Sequence, residues 1–276
     1  MTNRRILTVQ DISCVGQCSM AVALPVLAAC GHAVSILPAS VLSTHTGGFG
    51  TPAKRDLADF MEEAGRHWRS AGICFDVICT GYLGSIRAIQ ACADLIGEVL
   101  APGGMTIADP AMADHGRLYS GLDGKYAGAM MELCRQADVM LPNTTEAAML
   151  AGMPLRDTMD EGEAALLLNR LGGRNVVMTG IGRSPAETGV AVSADGKVRA
   201  YFHRKVDGSY HGTGDLFAAA FTGALAGGRT LYDAARIAAD FTCRCAENTF
   251  RQRNGGWYGV RYETELPILM QMLQSD

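Results

Sequence analysis

Short apolar runs of β-forming residues alternate with longer alanine-rich or amphipathic stretches along almost the whole chain. Residues 6–9, 33–37, 77–80, 105–108, 139–141 and 176–179 read as strands, and 20–30, 55–69, 86–100, 126–136 and 161–171 as helices. Strands apolar on both faces and separated by helices are the signature of βαβ units building a mainly parallel, covered sheet. Residues 189–192 and 198–202, joined across Asp195-Gly196, predict a late β-hairpin, and helices are expected at 214–226 and 231–248. No linker, repeat or low-complexity segment interrupts the pattern, so one α/β domain over residues 1–276 is expected. Ligands of such sheets gather at the carboxyl ends of the strands. The polar residues just past each apolar run are therefore the candidates for chemistry.

The densest of these segments is Gly212-Thr213-Gly214-Asp215, which opens directly onto the small-residue helix at 214–226. Two glycines allow a sharp turn and bare amides close to a ligand, and a helix start adds unpaired donors and positive potential. An Asp there repels a phosphate but suits a base that takes a proton from a hydroxyl attacking one. Asp is also common in first turns simply because it offsets the helix dipole. Asp109, held extended by Pro110, and Pro142-Asn143-Thr144-Thr145-Glu146 stand at two further strand ends. Asn143 and Glu146 suit a capping box, whereas Asp109, Asn143 and Glu146 together suit hydrated magnesium beside substrate phosphates.

Three segments suit a small flat ligand. The glycine-rich loop at 43–50 carries His45, Thr46, Gly47 and Phe49; Tyr82 lies in Gly81-Tyr82-Leu83-Gly84-Ser85, with Ser85 as an N-cap; and Asp11 is an acid just past the first strand. Glycines with hydroxyls and an aromatic fit a loop that closes over a ring, although a single loop histidine such as His45 is more often a surface or hydrogen-bonding residue than a catalyst.

Composition narrows the picture. With 48% hydrophobic residues, 19% charged residues and a net charge of −4, the chain has core material in plenty and no basic footprint for nucleic acid. No apolar run has the length of a membrane span, and Gln10 and Asp11 interrupt the first one, so a cytoplasmic protein is expected. The nine cysteines show neither a Cys-x-x-Cys pair nor zinc spacing, and read as reduced, mostly buried thiols.

These motifs, in this order over nearly the whole chain, resemble the ribokinase superfamily and specifically its vitamin B6 kinase branch. The loop at 43–50 with its His-Thr pair and Gly81-Tyr82-Leu83-Gly84-Ser85 point to that branch, while Gly-x-Gly-Asp alone marks only the superfamily. The resemblance implies a ribokinase-like three-layer sandwich without a separate lid domain, since no β-rich insert lies between the first two strands. It implies Asp215 as base, Gly212, Thr213 and Gly214 as anion hole, and Asp109, Asn143 and Glu146 around Mg-ATP, the carboxylates acting through water. Thr179, Lys205 and Val206 would line the nucleotide, and Asp11, His45, Thr46, Gly47 and Tyr82, with Asp215, the vitamin. ATP, Mg²⁺, a cytoplasmic homodimer and a B6 vitamer as substrate follow from the same likeness, with a monovalent-ion requirement left open. Two positions depart from the branch: Asp11 stands where many relatives have Ser, and Thr179 where related enzymes have Lys.

Hydroxymethylpyrimidine kinase of thiamin synthesis is the alternative within the same chemistry, because its ligand is also a flat nitrogen heterocycle bearing a primary alcohol. A sugar or nucleoside kinase is disfavoured by the missing lid. A vitamin-binding sensor without catalysis would need no base, and Asp215 with both glycines argues against it.

Overall fold

The computed structural model describes residues 3–156, 158–172, 175–208, 210–252 and 258–274. In chain order the elements are β1 (Arg5–Ser13), α1 (Met20–Ala29), β2 (Ala33–Leu42), β3 (Lys54–Asp56), α2 (Ala58–Ser70), β4 (Phe75–Thr80) and α3 (Ile86–Val99). Then come β5 (Leu100–Ala108), β6 (Ala113–Asp114), β7 (Arg117–Leu118), α4 (Gly124–Gln136), β8 (Val139–Met140), α5 (Thr144–Ala151) and α6 (Glu161–Arg170). The rest is β9 (Asn175–Ile181), β10 (Glu187–Ala194), β11 (Lys197–Arg204), α7 (Thr213–Ala226), α8 (Leu231–Arg251) and α9 (Leu266–Gln274).

One sheet runs in the order β11-β10-β9-β8-β5-β4-β1-β2-β3, and β6 pairs only with β7. From β2 across to β9 every pairing is parallel. β3 is antiparallel to β2, β10 to β9 and β11 to β10, so β11 regains the direction of the parallel set. Successive strand residues point to opposite faces, and both faces are buried. Ile6, Val77, Ile107, Val139 and Val177 share one core with residues of α1, α7, α8 and α9. Leu7, Ile78, Ala108, Met140 and Val176 share the other with residues of α2, α3, α4 and α6. This is the expected three-layer α/β sandwich. Among the described residues β1 and β2 are joined through α1 alone, with no β-rich lid.

Two expectations are corrected. The helix expected at 55–69 begins only at Ala58, after the edge strand β3; its residues Lys54-Arg55-Asp56 are all exposed, so no apolar alternation announces them, and Asp56 Oδ1 accepts from Ala58 N at 2.8 Å to start the helix. Asp11 lies inside β1, not past it, because β1 continues to Ser13 through a register shift against β2 between Gln10 and Ile12. His45, expected as a surface or hydrogen-bonding residue, is 6% exposed and takes the hydrogen-bonding form, its Nδ1 accepting from Gly47 N. The Asp195-Gly196 turn has both residues at positive φ (49° and 73°), as a tight hairpin turn requires.

Candidate active site

Because β1, β2, β4, β5, β8, β9 and β11 share a direction, their carboxyl ends meet along one edge of the sheet. Backbone bonds carry the ladder past the strand ends: Asp11 N donates to Tyr82 O at 3.0 Å, Asp109 N to Thr80 O at 3.2 Å and Thr179 N to Pro142 O at 3.0 Å. The sheet order then sorts the candidates. Asp11, the loop at 43–50 and Tyr82 belong to the β1, β2 and β4 ends; Asn143, Thr179, Lys205 and Val206 belong to the β8, β9 and β11 ends. Asp109, after β5, stands between the two groups. A small cavity between sheet and α7 is lined by both Asp109 and Asp215, with Thr8, Gln10, Thr80 and Thr222.

Asp215 sits in the first turn of α7, whose N-cap is Gly212 at φ 81°. A side chain on Gly212 would overlap the carbonyl oxygen of Gln17, so this turn admits only glycine. The first intrahelical bond is Leu216 N to Gly212 O, which leaves the amides of Thr213, Gly214 and Asp215 outside the helical ladder. Among the described residues nothing lies within 4 Å of where a Gly214 side chain would project. The fold therefore does not demand glycine there, and its bareness leaves room for a ligand. Burial pushes the Asp215 carboxyl up to about 7, with the nearby Asp11 charge adding to the rise and the backbone N–H of Ser19 opposing it. Ser19 itself holds φ 49°, a strained conformation for a residue with a side chain. It faces both acids, since its hydroxyl hydrogen-bonds Asp11.

Asp109 Oδ1 accepts from Ala111 N at 3.0 Å, an Asp-Pro turn of the ordinary kind. Its carboxyl is nevertheless pushed well up by burial, then by the charges of Glu146 and Asp215. Glu146 is 1% exposed and forms the expected capping box with Asn143: Asn143 Oδ1 accepts from Glu146 N, and Glu146 Oε2 from Asn143 N, both at 2.9 Å. Its Oε1 also accepts from Met112 N and Ala113 N, at 2.8 and 3.3 Å. Glu146 thus ties α5 to the segment after Asp109, and burial raises its pKa as well. Tyr119, which sequence reasoning passed over, is raised by burial and by the charges of Glu146, Asp109 and Asp215. Among the described residues no three of His, Cys, Asp and Glu come close enough to enclose a metal ion.

On the β1–β2–β4 side, Asp11 is 2% exposed and accepts from Ser13 Oγ at 2.9 Å; burial raises its pKa, with the Lys54 charge among the opposing influences. Ser85 caps α3 as expected, its Oγ accepting from Ala88 N at 3.1 Å. His45 Nδ1 accepts from Gly47 N at 3.0 Å, and its ring packs against Phe49 and His211, with centroids 5.0 and 4.7 Å away. A side chain on Gly47 would approach His211 to 2.6 Å. The 43–50 loop is therefore seated on the residue that precedes the Gly212 turn. Thr46 is exposed beside it. Ser19, Lys54, Tyr119 and His211 are the residues sequence reasoning missed; each is an isolated polar residue that only folding brings to the edge.

A family model described as phosphomethylpyrimidine kinase matches residues 58–258. A pyridoxine/pyridoxal/pyridoxamine kinase of Bordetella bronchiseptica is 30% identical over 255 residues, covering 88% of this chain and 89% of the relative. The chain belongs to the ribokinase-like vitamin B6 kinases. A solved pyridoxal kinase from Lactobacillus plantarum superposes with a TM-score of 0.89 at 35% identity, covering 98% of each chain. A Bacteroides thetaiotaomicron structure described as a phosphomethylpyrimidine kinase, in a crystal form with pyridoxal, gives 0.91 at 32% identity over 97% of this kinase and 96% of that chain. Within the kinase, no described helix is long and apolar enough to cross a membrane, and all nine cysteines are free, six of them buried.

Proposed function

We propose that this kinase transfers the γ-phosphoryl group of ATP to the 5′-hydroxymethyl group of a B6 vitamer, with Asp215 as the base. The observation that carries this reading is the placement of Asp215: a carboxyl raised to about 7, in the first turn of α7 beside three free-standing amides. It lines one cavity with Asp109 and with residues of β1 and β4. The amides of Thr213, Gly214 and Asp215 receive phosphoryl oxygens, and Asp215 accepts the proton of the attacking alcohol. Asn143, Thr179, Lys205 and Val206 line the nucleotide. His45, Thr46 and Gly47 close over the ring with their loop and exclude water from the transfer.

The donor set suits magnesium. Asp109 feels the charges of Glu146 and Asp215, which a cation would offset, and Mg²⁺ needs only one or two carboxylates, its remaining ligands being water and phosphate oxygens. Asp109 would hold it, with Glu146 acting through water and by fixing the segment after Asp109; the ion would neutralise charge on the transferring phosphate. Asp109→Asn should raise the Mg-ATP concentration needed for half-maximal turnover while leaving the vitamin KM nearly unchanged. A defect confined to the vitamin would remove Asp109 from this role.

Coupled ADP release across pyridoxal, pyridoxine, pyridoxamine and hydroxymethylpyrimidine tests the substrate. The pyrimidine is the second reading, favoured by the description of the matching family model; it prevails if its kcat/KM exceeds that of every B6 vitamer. Within the B6 reading, Asp11 favours pyridoxamine, the most cationic vitamer, because an ionised carboxylate only accepts hydrogen bonds. A charge-assisted bond is worth about 1.5–3 kcal/mol, so Asp11→Ser should shift the pyridoxamine-to-pyridoxal kcat/KM ratio about tenfold or more. An unchanged ratio would leave Asp11 a structural residue. A cytoplasmic homodimer, supported by the likeness to B6 kinases, is the proposed assembly, and light scattering on the purified chain tests it.

A further inference from the structure

The side chain of Lys54 reaches from the edge strand β3 into the vitamin-side group. Its Nζ donates to Gly84 O at 2.9 Å and stands 5.4 Å from the centroid of the Tyr82 ring. Around the point where a side chain on Gly84 would project, Lys54 Nζ lies at 2.8 Å and Ser40 Oγ at 3.3 Å. Ser40 is fully buried, and its hydroxyl has no hydrogen-bond partner among the described residues. A buried hydroxyl without a partner is costly and marks a place where a polar group is expected to arrive. The Asp11 and Lys54 charges feel one another, and burial lowers the Lys54 pKa. One cation, one carboxylate and one unsatisfied hydroxyl thus lie along the 82–84 segment, at the opposite end of the sheet from Thr179 and Lys205. That distance along the sheet separates Lys54 from the candidate nucleotide residues.

We propose that Lys54 is a specificity-determining residue whose ammonium, with Ser40, recognises an anionic ring oxygen on the substrate. This inference rests on the B6 reading above. A 3-hydroxypyridine readily places its proton on the ring nitrogen and a negative charge on its oxygen. Lys54 matches the negative pole, and Asp11, of opposite charge, is left for the cationic nitrogen on which the pyridoxamine preference above rests. Hydroxymethylpyrimidine has no such oxygen, so the same lysine discriminates between the two heterocycles. A site built to pair a hydroxyl rejects an analogue lacking it more strongly than an apolar pocket rejects a missing methylene. Lys54 remains open to solvent along β3, which places the effect at the lower end of the charge-assisted range.

The test compares kcat/KM for pyridoxine and 3-deoxypyridoxine, which differ only in that hydroxyl, in the full chain and in Lys54→Met and Lys54→Arg. The wild type should prefer pyridoxine by roughly tenfold. Lys54→Met should lose most of that preference through the pyridoxine KM, and Lys54→Arg, which keeps the charge, should retain part of it. Should Lys54→Met fail to fold, Lys54→Gln replaces it, since an amide can still donate to Gly84 O. Equal use of the two pyridines by the wild type, or an undiminished preference in the uncharged variant, overturns the inference and leaves the B6 reading standing. Turnover of neither pyridine, with turnover of hydroxymethylpyrimidine, overturns the B6 reading and the inference together.

Discussion

Replacing Asp215 by Asn should lower turnover by roughly 10²–10⁴-fold, the usual worth of a positioned general base. Asn keeps the size and the first-turn position but has no proton affinity at neutral pH. The pH profile gives a second readout. Because burial raises the Asp215 carboxyl to about 7, the wild type should gain activity as pH rises through that value, as the base becomes ionised. In the variant this limb should disappear. Stability should move the other way. A carboxyl whose folded pKa lies above its unfolded value stabilises the fold below the unfolded value, and that contribution is lost as pH rises through about 7. The thermal midpoint of Asp215→Asn relative to wild type should therefore be more favourable at pH 8 than at pH 5. Near-normal turnover with the acid limb intact would remove Asp215 from the chemistry.

The two glycines of the turn should respond in opposite ways to Ala. At Gly212 the φ of 81° is unfavourable for any residue with a side chain, costing about 1–2 kcal/mol. The new methyl would also overlap a backbone carbonyl that cannot rotate aside, that of Gln17, and overpacking of this kind costs about 1–3 kcal/mol more. Gly212→Ala should lose roughly 2–5 kcal/mol in denaturant unfolding and most of its activity, since relief requires the start of α7 to shift. Gly214→Ala meets open space inside a helix, where Ala is favoured over Gly by up to about 1 kcal/mol. It should match or exceed the wild type in stability while raising the ATP KM, because the methyl would stand at the proposed phosphate site. If both variants lose stability equally, Gly214 is a folding glycine and the anion hole must be sought elsewhere.

Much of the fold was legible because its signals are local. Apolar runs such as Val176 to Thr179, buried on both faces, mark central strands wherever they sit, and Ser85, Asn143 and Glu146 cap their helices through bonds to neighbours in sequence. The late hairpin was legible for the same reason, since its turn needs only Asp195 and Gly196. The edge strand β3 was not. Its residues are exposed and polar, and it is a strand only because residues 40–42 of β2 offer it a partner.

By itself the sequence determined the alternation of strands and helices, the Gly212-to-Asp215 turn at a helix start, the capping box of Asn143 and Glu146, and through their order the likeness to B6 kinases. Those features depend on neighbours within a few residues. Only the tertiary structure decided that Asp11 is sunk inside β1 beside Ser19, that His45 is buried against Phe49 and His211, and that Lys54 and Ser40 meet at Gly84. It also decided the upward shifts of the Asp215 and Asp109 carboxyls, which follow from burial and from the charges of neighbouring acids. Burial and charge proximity are properties of chain segments brought together from far apart, and no local pattern of residues encodes them.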